Sequence, residues 1–132
     1  MKKDNPEKRI ETSILEFLRS IGVYCWKTDR QGTFDPVRKT FRTNNNPFKI
    51  KGVSDILGIV QGRMLAIEVK SPVGRLTDEQ RVFIAKINHE GGIAFTARSL
   101  EQCIEQLLPH FPNNEALKRF SKDYVSSKGA DH

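Results

Sequence analysis

The sequence predicts a small α/β sandwich, a mixed four-stranded sheet flanked by helices in the order αβββαβα. Three observations carry this expectation. Apolar residues recur at helical spacing before, between and after strand-like runs. Two of those runs, 53–60 and 63–70, are separated only by Gln61 and Gly62, a two-residue hairpin turn that makes them antiparallel. A helix-like segment then separates 63–70 from the run 93–97, and such a crossover returns the chain parallel to the strand it left.

The elements follow in order. Ile10, Ile14, Leu15, Phe17, Leu18 and Ile21 mark an amphipathic helix from Pro6 to Ile21, ended by Gly22. "VYCWKT", residues 23–28, is rich in residues that suit a strand. Residues 29–51 have no clear period, contain two Pro and three consecutive Asn, and read as a long basic loop. After the hairpin, Thr77 is the expected N-cap of a helix to about Glu90, where "GG" ends it. "IAFTA" is the fourth strand, and Ser99 caps a last amphipathic helix through Leu108. One domain over 1–108 is expected. The extension 109–132 carries a weak helical pattern in "NEALKRFSKDYV" and a polar end expected to be partly disordered.

Composition narrows the function. At 132 residues with 37% hydrophobic and 29% charged, the chain can bury a core without metal or disulfide staples. No apolar run approaches the roughly 20 residues that span a bilayer, and no signal-peptide pattern opens the chain, so a cytoplasmic location without membrane contact is expected. Cys25 and Cys103 read as small core residues, and the three His form no catalytic or zinc pattern. The net charge of +6 points to a polyanionic partner. It is concentrated: residues 27–51 hold seven Lys and Arg against two Asp, a net +5.

Charge also intrudes where a half-buried sheet should exclude it. On the second hairpin strand Met64, Ala66, Glu68 and Lys70 share one face. A two-residue turn at 61–62 sets Asp55 opposite Glu68, and two carboxylates so placed repel unless a cation sits between them. Lys70 would offset part of that repulsion, and a hard divalent cation such as Mg²⁺ or Mn²⁺ would offset more. Glu11 and Gln80 fall on the apolar sides of their helices, each able to point at the same strand end. Each also has an ordinary role open to it: Glu11 near a helix start, Gln80 in a capping box with Thr77, Glu68 and Lys70 as solvated strand-end charges.

An Asp, a Glu-x-Lys on the next strand and a Glu on the preceding helix resemble the PD-(D/E)XK nuclease superfamily. "GVSDILG", "AIEVKSPVGRLTDEQRVFIAKINHEGGIAFTA" and "SLEQCIEQL" look more specifically like the VRR-NUC family, including its stand-alone, phage-type members. The resemblance implies a restriction-endonuclease-like fold and a Mg²⁺- or Mn²⁺-dependent endodeoxyribonuclease. It implies Asp55, Glu68 and the Val69 backbone carbonyl as metal ligands, with Glu11 ligating through water or holding a second ion. Lys70 would orient or deprotonate the attacking water, and Gln80 would fix that water or Lys70. Where the family has Pro before its Asp, this chain has Ser54.

DNA is the partner these features imply. Arg30, Arg38, Lys39, Arg42, Lys49 and Lys51 are expected to hold phosphates, with Arg75 in the loop past Lys70 as a further contact. Phe34, Phe41 and Phe48 lie among them as candidates for stacking on unpaired bases. The stand-alone family members resemble Holliday-junction resolvases, so the expected activity is structure-selective cutting of branched DNA by a homodimer, in a bacterial or phage-infected cell. Two alternatives stand beside it: a non-catalytic DNA-binding module on the same fold, and a sequence-specific restriction-type endonuclease.

Overall fold

The computed structural model describes residues 5–28, 34–35, 40–41 and 47–121. The first helix, α1, spans Pro6–Ser20. Asn5 caps it by accepting from the Lys8 amide, Pro6 opens it, and Gly22 at φ +86° turns the chain out of it. Its stripe of Ile14 and Leu18 is fully buried, which stabilises the fold by roughly 1.5–3 kcal/mol per side chain.

Strand β1 (Tyr24–Lys27) follows, then two short strands, β2 (Phe34–Asp35) and β3 (Thr40–Phe41). These two pair antiparallel as a separate ribbon, Phe34 opposite Phe41 and Asp35 opposite Thr40. A structureless loop over 29–51 is thus corrected at these four positions. Two-residue strands are too short to set up a period in the sequence.

The hairpin consists of β4 (Ile56–Val60) and β5 (Arg63–Val69). Gln61 and Gly62 both have positive φ, 50° and 78°, the backbone signature of a two-residue turn whose twist matches the strands. That turn sets the expected register, from Val60 opposite Arg63 to Ile56 opposite Ile67. β4 starts at Ile56, later than the expected 53, so Asp55 stands just ahead of the strand. Helix α2 (Asp78–His89) crosses to β6 (Ile93–Ala97), which pairs parallel with β5. Helix α3 (Leu100–Leu107) is capped by Ser99, leads into a 3₁₀ turn at Leu108–His110, and is followed by helical residues 115–121.

The sheet order is β1-β4-β5-β6, mixed as expected. One face carries Cys25, Ile56, Leu65, Ile67, Val69, Ile93, Phe95 and Ala97, packed with α1 and α3 into the main core. Phe111 and Leu117 are buried in that same core, and Phe120 meets Phe17 in a tilted ring contact with centroids 5.2 Å apart, so packing continues past Leu108. On the other face α2 packs over β5 and β6, where Phe83 lies on Ala66 and Ala94 with Val53, Leu57, Ile84 and Ile87 around them. Cys25 and Cys103 are free, buried thiols in the main core. Among the described residues no helix is long and apolar enough to cross a membrane.

Candidate active site

Side chains paired across a sheet share a face. The row Trp26, Leu57, Ala66, Ala94 lies on the face under α2. One step toward the open end comes Thr28, whose amide donates to the Asp55 carbonyl at 2.8 Å, and Glu68, paired with Thr96. Asp55 and Glu68 therefore emerge side by side on that face, as the turn at 61–62 requires.

Their surroundings are specific. The Asp55 Oδ2 atom accepts the Val69 amide at 2.8 Å, which fixes this carboxylate to the end of β5. Glu68 is 1% exposed. A buried carboxylate needs partners: Gln80 Nε2 donates to Glu68 Oε1 at 3.0 Å and Lys70 Nζ lies 3.6 Å from it. Lys70 itself is largely enclosed.

Gln80 reaches the strand end, where the partner it meets is Glu68, and also completes the capping box. Its Oε1 accepts the Thr77 amide at 2.9 Å, while the Thr77 hydroxyl accepts the Gln80 amide at 3.2 Å, completing a capping box. With Oε1 committed to the cap, Nε2 is the end that faces Glu68, and the amide orientation is settled by its partners. Gly52 lets α2 approach this closely. At φ +80°, a Cβ there would stand 2.4 Å from the Glu79 carbonyl carbon and 2.6 Å from the Gln80 nitrogen.

Glu11 goes elsewhere. It lies on α1, across the sheet from Gln80, and its carboxylate pairs with Lys27 Nζ at 3.3 Å. Among the described residues no three His, Cys, Asp or Glu side chains converge on one metal position. The partner that Glu11 meets is thus Lys27. Of the expected DNA-contacting residues, Lys49, Lys51 and Arg75 are exposed, whereas Arg30, Arg38, Lys39 and Arg42 lie outside the described residues.

The loop after Lys70 is held from both sides. The Arg98 guanidinium donates through Nη1 to the carbonyls of Ser71 at 2.6 Å and Gly74 at 2.7 Å. Glu7 of α1 accepts the Ser71 amide at 3.3 Å. Sequence reasoning missed Arg98, Glu7 and the partnership of Lys27 with Glu11, because nothing in their spacing distinguishes them from surface charges. Ser54 is fully buried, and its hydroxyl has no hydrogen-bond partner among the described residues.

Carboxylate oxygens beside a lysine at the end of a mixed α/β sheet are consistent with a nuclease-type, DNA-acting domain of the PD-(D/E)XK kind. The family model of the VRR-NUC domain matches residues 36–101, half of the chain. This protein belongs to the VRR-NUC family. It is also similar in fold to a solved structure described as a VRR_NUC domain, with a TM-score of 0.56 and 18% identity over 82% of this chain and 99% of that one. No curated protein matches the sequence. The matched segment includes Asp55, Glu68, Lys70 and Gln80 and leaves out Glu11.

Proposed function

We propose that the protein is a Mg²⁺- or Mn²⁺-dependent endonuclease that hydrolyses phosphodiester bonds in branched DNA, including four-way junctions. The observation that carries the catalytic part is the buried Glu68 carboxylate, held by Gln80 and Lys70 beside the Asp55 carboxylate. A surface built only to bind phosphate gains nothing from paired carboxylates that repel it. Support for branched DNA and for a homodimer comes from the likeness to stand-alone family members, since symmetric cutting of a junction needs two sites related by a two-fold axis.

The donor set fits a hard cation. Asp55, Glu68 and the Val69 carbonyl would hold it, because a small divalent ion is satisfied by one or two carboxylates with water and phosphate completing its shell. When bound, the ion supplies neutralisation of the charge on the phosphate oxygens. The chain's own groups do the rest. The Val69 amide fixes Asp55, while Gln80 locks Glu68 against rotation. Lys70, next to Glu68, orients the attacking water and takes part in moving its proton. Glu11 acts from outside the ligand set, through water. Lys49, Lys51 and Arg75 are exposed cations available to phosphates, and Arg30, Arg38, Lys39 and Arg42 complete the proposed contact set.

The test is cleavage of labelled four-way junction, flap, single-stranded and linear duplex DNA with Mg²⁺, Mn²⁺ or EDTA. Metal-dependent cutting is expected for the wild type, with a loss on the order of 10²-fold or more in Asp55→Asn and Lys70→Ala. A second readout is thermal stability: Mn²⁺ should raise the wild-type melting temperature and leave Asp55→Asn unmoved. Binding without cutting on every substrate would establish the non-catalytic module instead. Fixed cut positions on linear duplex would indicate the restriction-type alternative, and a monomer by light scattering would remove junction resolution.

A further inference from the structure

Helix α2 covers only half of the face it sits on. It packs over β5 and β6 and reaches Leu57 of β4, and beyond it β1 and the turn end of β4 carry Tyr24, Trp26 and Ile59 open to solvent at 73%, 37% and 49%. This placement follows from the register. Tyr24 pairs with Ile59 and Trp26 with Leu57, all on the face of Ala66 and Glu68 and opposite the buried Cys25. The two rings lie side by side, with centroids 5.6 Å apart and planes inclined at 55°.

The patch is continuous with the candidate active site. Trp26 is one row below Asp55 on the neighbouring strand, which puts their Cα positions roughly 8 Å apart from the strand spacing and rise. The chain that leaves β1 is rich in cations: residues 27–51 carry a net +5, and Lys49 and Lys51, which precede β4, are exposed. For an exposed aromatic surface next to the proposed nuclease site, on a chain whose neighbouring segment is rich in cations, the fitting occupant is a nucleic-acid strand. Bases have apolar π-faces and carry phosphates with them, so a strand whose bases are unpaired satisfies both the rings and the charge. Paired bases in a duplex are already stacked and offer no face.

We infer that Tyr24 and Trp26 form a stacking platform for unpaired bases of the DNA strand next to the scissile phosphate. This inference deepens the nuclease reading and rests on it for the position of the cut. It makes the single-stranded portion of a flap or junction the part that the enzyme recognises by contact, with Ile59 extending the apolar floor.

Trp26 is the only tryptophan in the chain, so its fluorescence reports on the platform directly. The experiment titrates the full chain in EDTA, which prevents cutting, with oligo(dT) and with blunt duplex at equal phosphate concentration. Quenching and a spectral shift are expected with oligo(dT), and much less with duplex. Tyr24→Ala should weaken oligo(dT) binding, read by anisotropy of a labelled oligonucleotide, roughly five- to tenfold. Its salt dependence should keep the wild-type slope, because no charge is removed. Tyr24→Phe keeps the ring and should bind like the wild type, which separates stacking from misfolding.

Equal quenching by both DNAs would overturn the inference, as would unchanged affinity in Tyr24→Ala. So would a wild-type dimer that Tyr24→Ala converts to a monomer with unchanged DNA binding, since the face would then join two copies. The two readings fail separately: a protein that cuts DNA without a Trp26 response loses the platform alone, and one that responds without ever cutting loses the nuclease.

Discussion

At the scale of single residues, the site is built by groups that serve two partners at once. Gln80 caps α2 through one end of its amide and holds Glu68 through the other, so a helix-start residue becomes part of a carboxylate's environment. Asp55 uses Oδ2 to anchor on the Val69 amide, an extended-strand donor at the end of β5. Ser54, directly before it, is the exception. Its hydroxyl is buried with no hydrogen-bond partner among the described residues, and such an atom costs its desolvation without return. Ser54→Ala should therefore raise stability by about 1 kcal/mol in urea denaturation; an equal loss would mean that the hydroxyl has a partner in solution. The sequence alone made Ser54 conspicuous only as a departure from the Pro of related chains, because burial and pairing are properties of neighbours.

At the scale of elements, placement of Gln80 depends on how closely the N-terminal turn of α2 can approach the segment that enters β4. Gly52 allows that approach and adopts a backbone conformation that side-chain-bearing residues rarely take. Gly52→Ala would strain the backbone and push α2 off the sheet at once. We expect a loss of roughly 2–4 kcal/mol of stability, together with weakened Mn²⁺-dependent stabilisation, because Gln80 would no longer hold Glu68. A variant that melts like the wild type would show that α2 can slide without penalty. The hairpin was legible from Gln61 and Gly62, since a two-residue turn fixes the pairing of every later residue. The β2–β3 ribbon was not, because two-residue strands leave no period to read.

At the scale of the whole molecule, the main core includes two thiols that report on its integrity. Burial pushes the Cys103 thiol up to about 12 from 9.0, with Cys25 nearby adding to the rise. Burial raises Cys25 as well, against the opposing pull of Arg19. A thiol whose folded pKa lies above its unfolded one keeps its proton longer in the folded state. Its stabilising effect is complete below about pH 9 and is lost as pH rises toward 12. The wild type should lose stability above pH 9 by roughly 1 kcal/mol per pH unit more than Cys103→Ala. Denaturation at pH 8, 9.5 and 10.5 checks this, and parallel curves would mean that the thiolate is accommodated in the fold.

What the sequence by itself determined is whatever a short stretch of chain controls: the helix caps at Thr77 and Ser99, the turn at 61–62, and the alternation that puts Glu68 and Lys70 on one face. From the turn it even determined that Asp55 would come up beside Glu68. The tertiary structure decided what depends on which layers meet. It sent Glu11 to Lys27 on the α1 side, recruited Arg98 and Glu7 to hold the loop after Lys70, and laid α2 over only half of its face. Periodicity says which side of an element is apolar, and "VYCWKT" reads as an ordinary strand. Whether an apolar side is covered depends on the position of another element, and only the assembled sheet, with β1 at its end, leaves Tyr24 and Trp26 open beside the carboxylates.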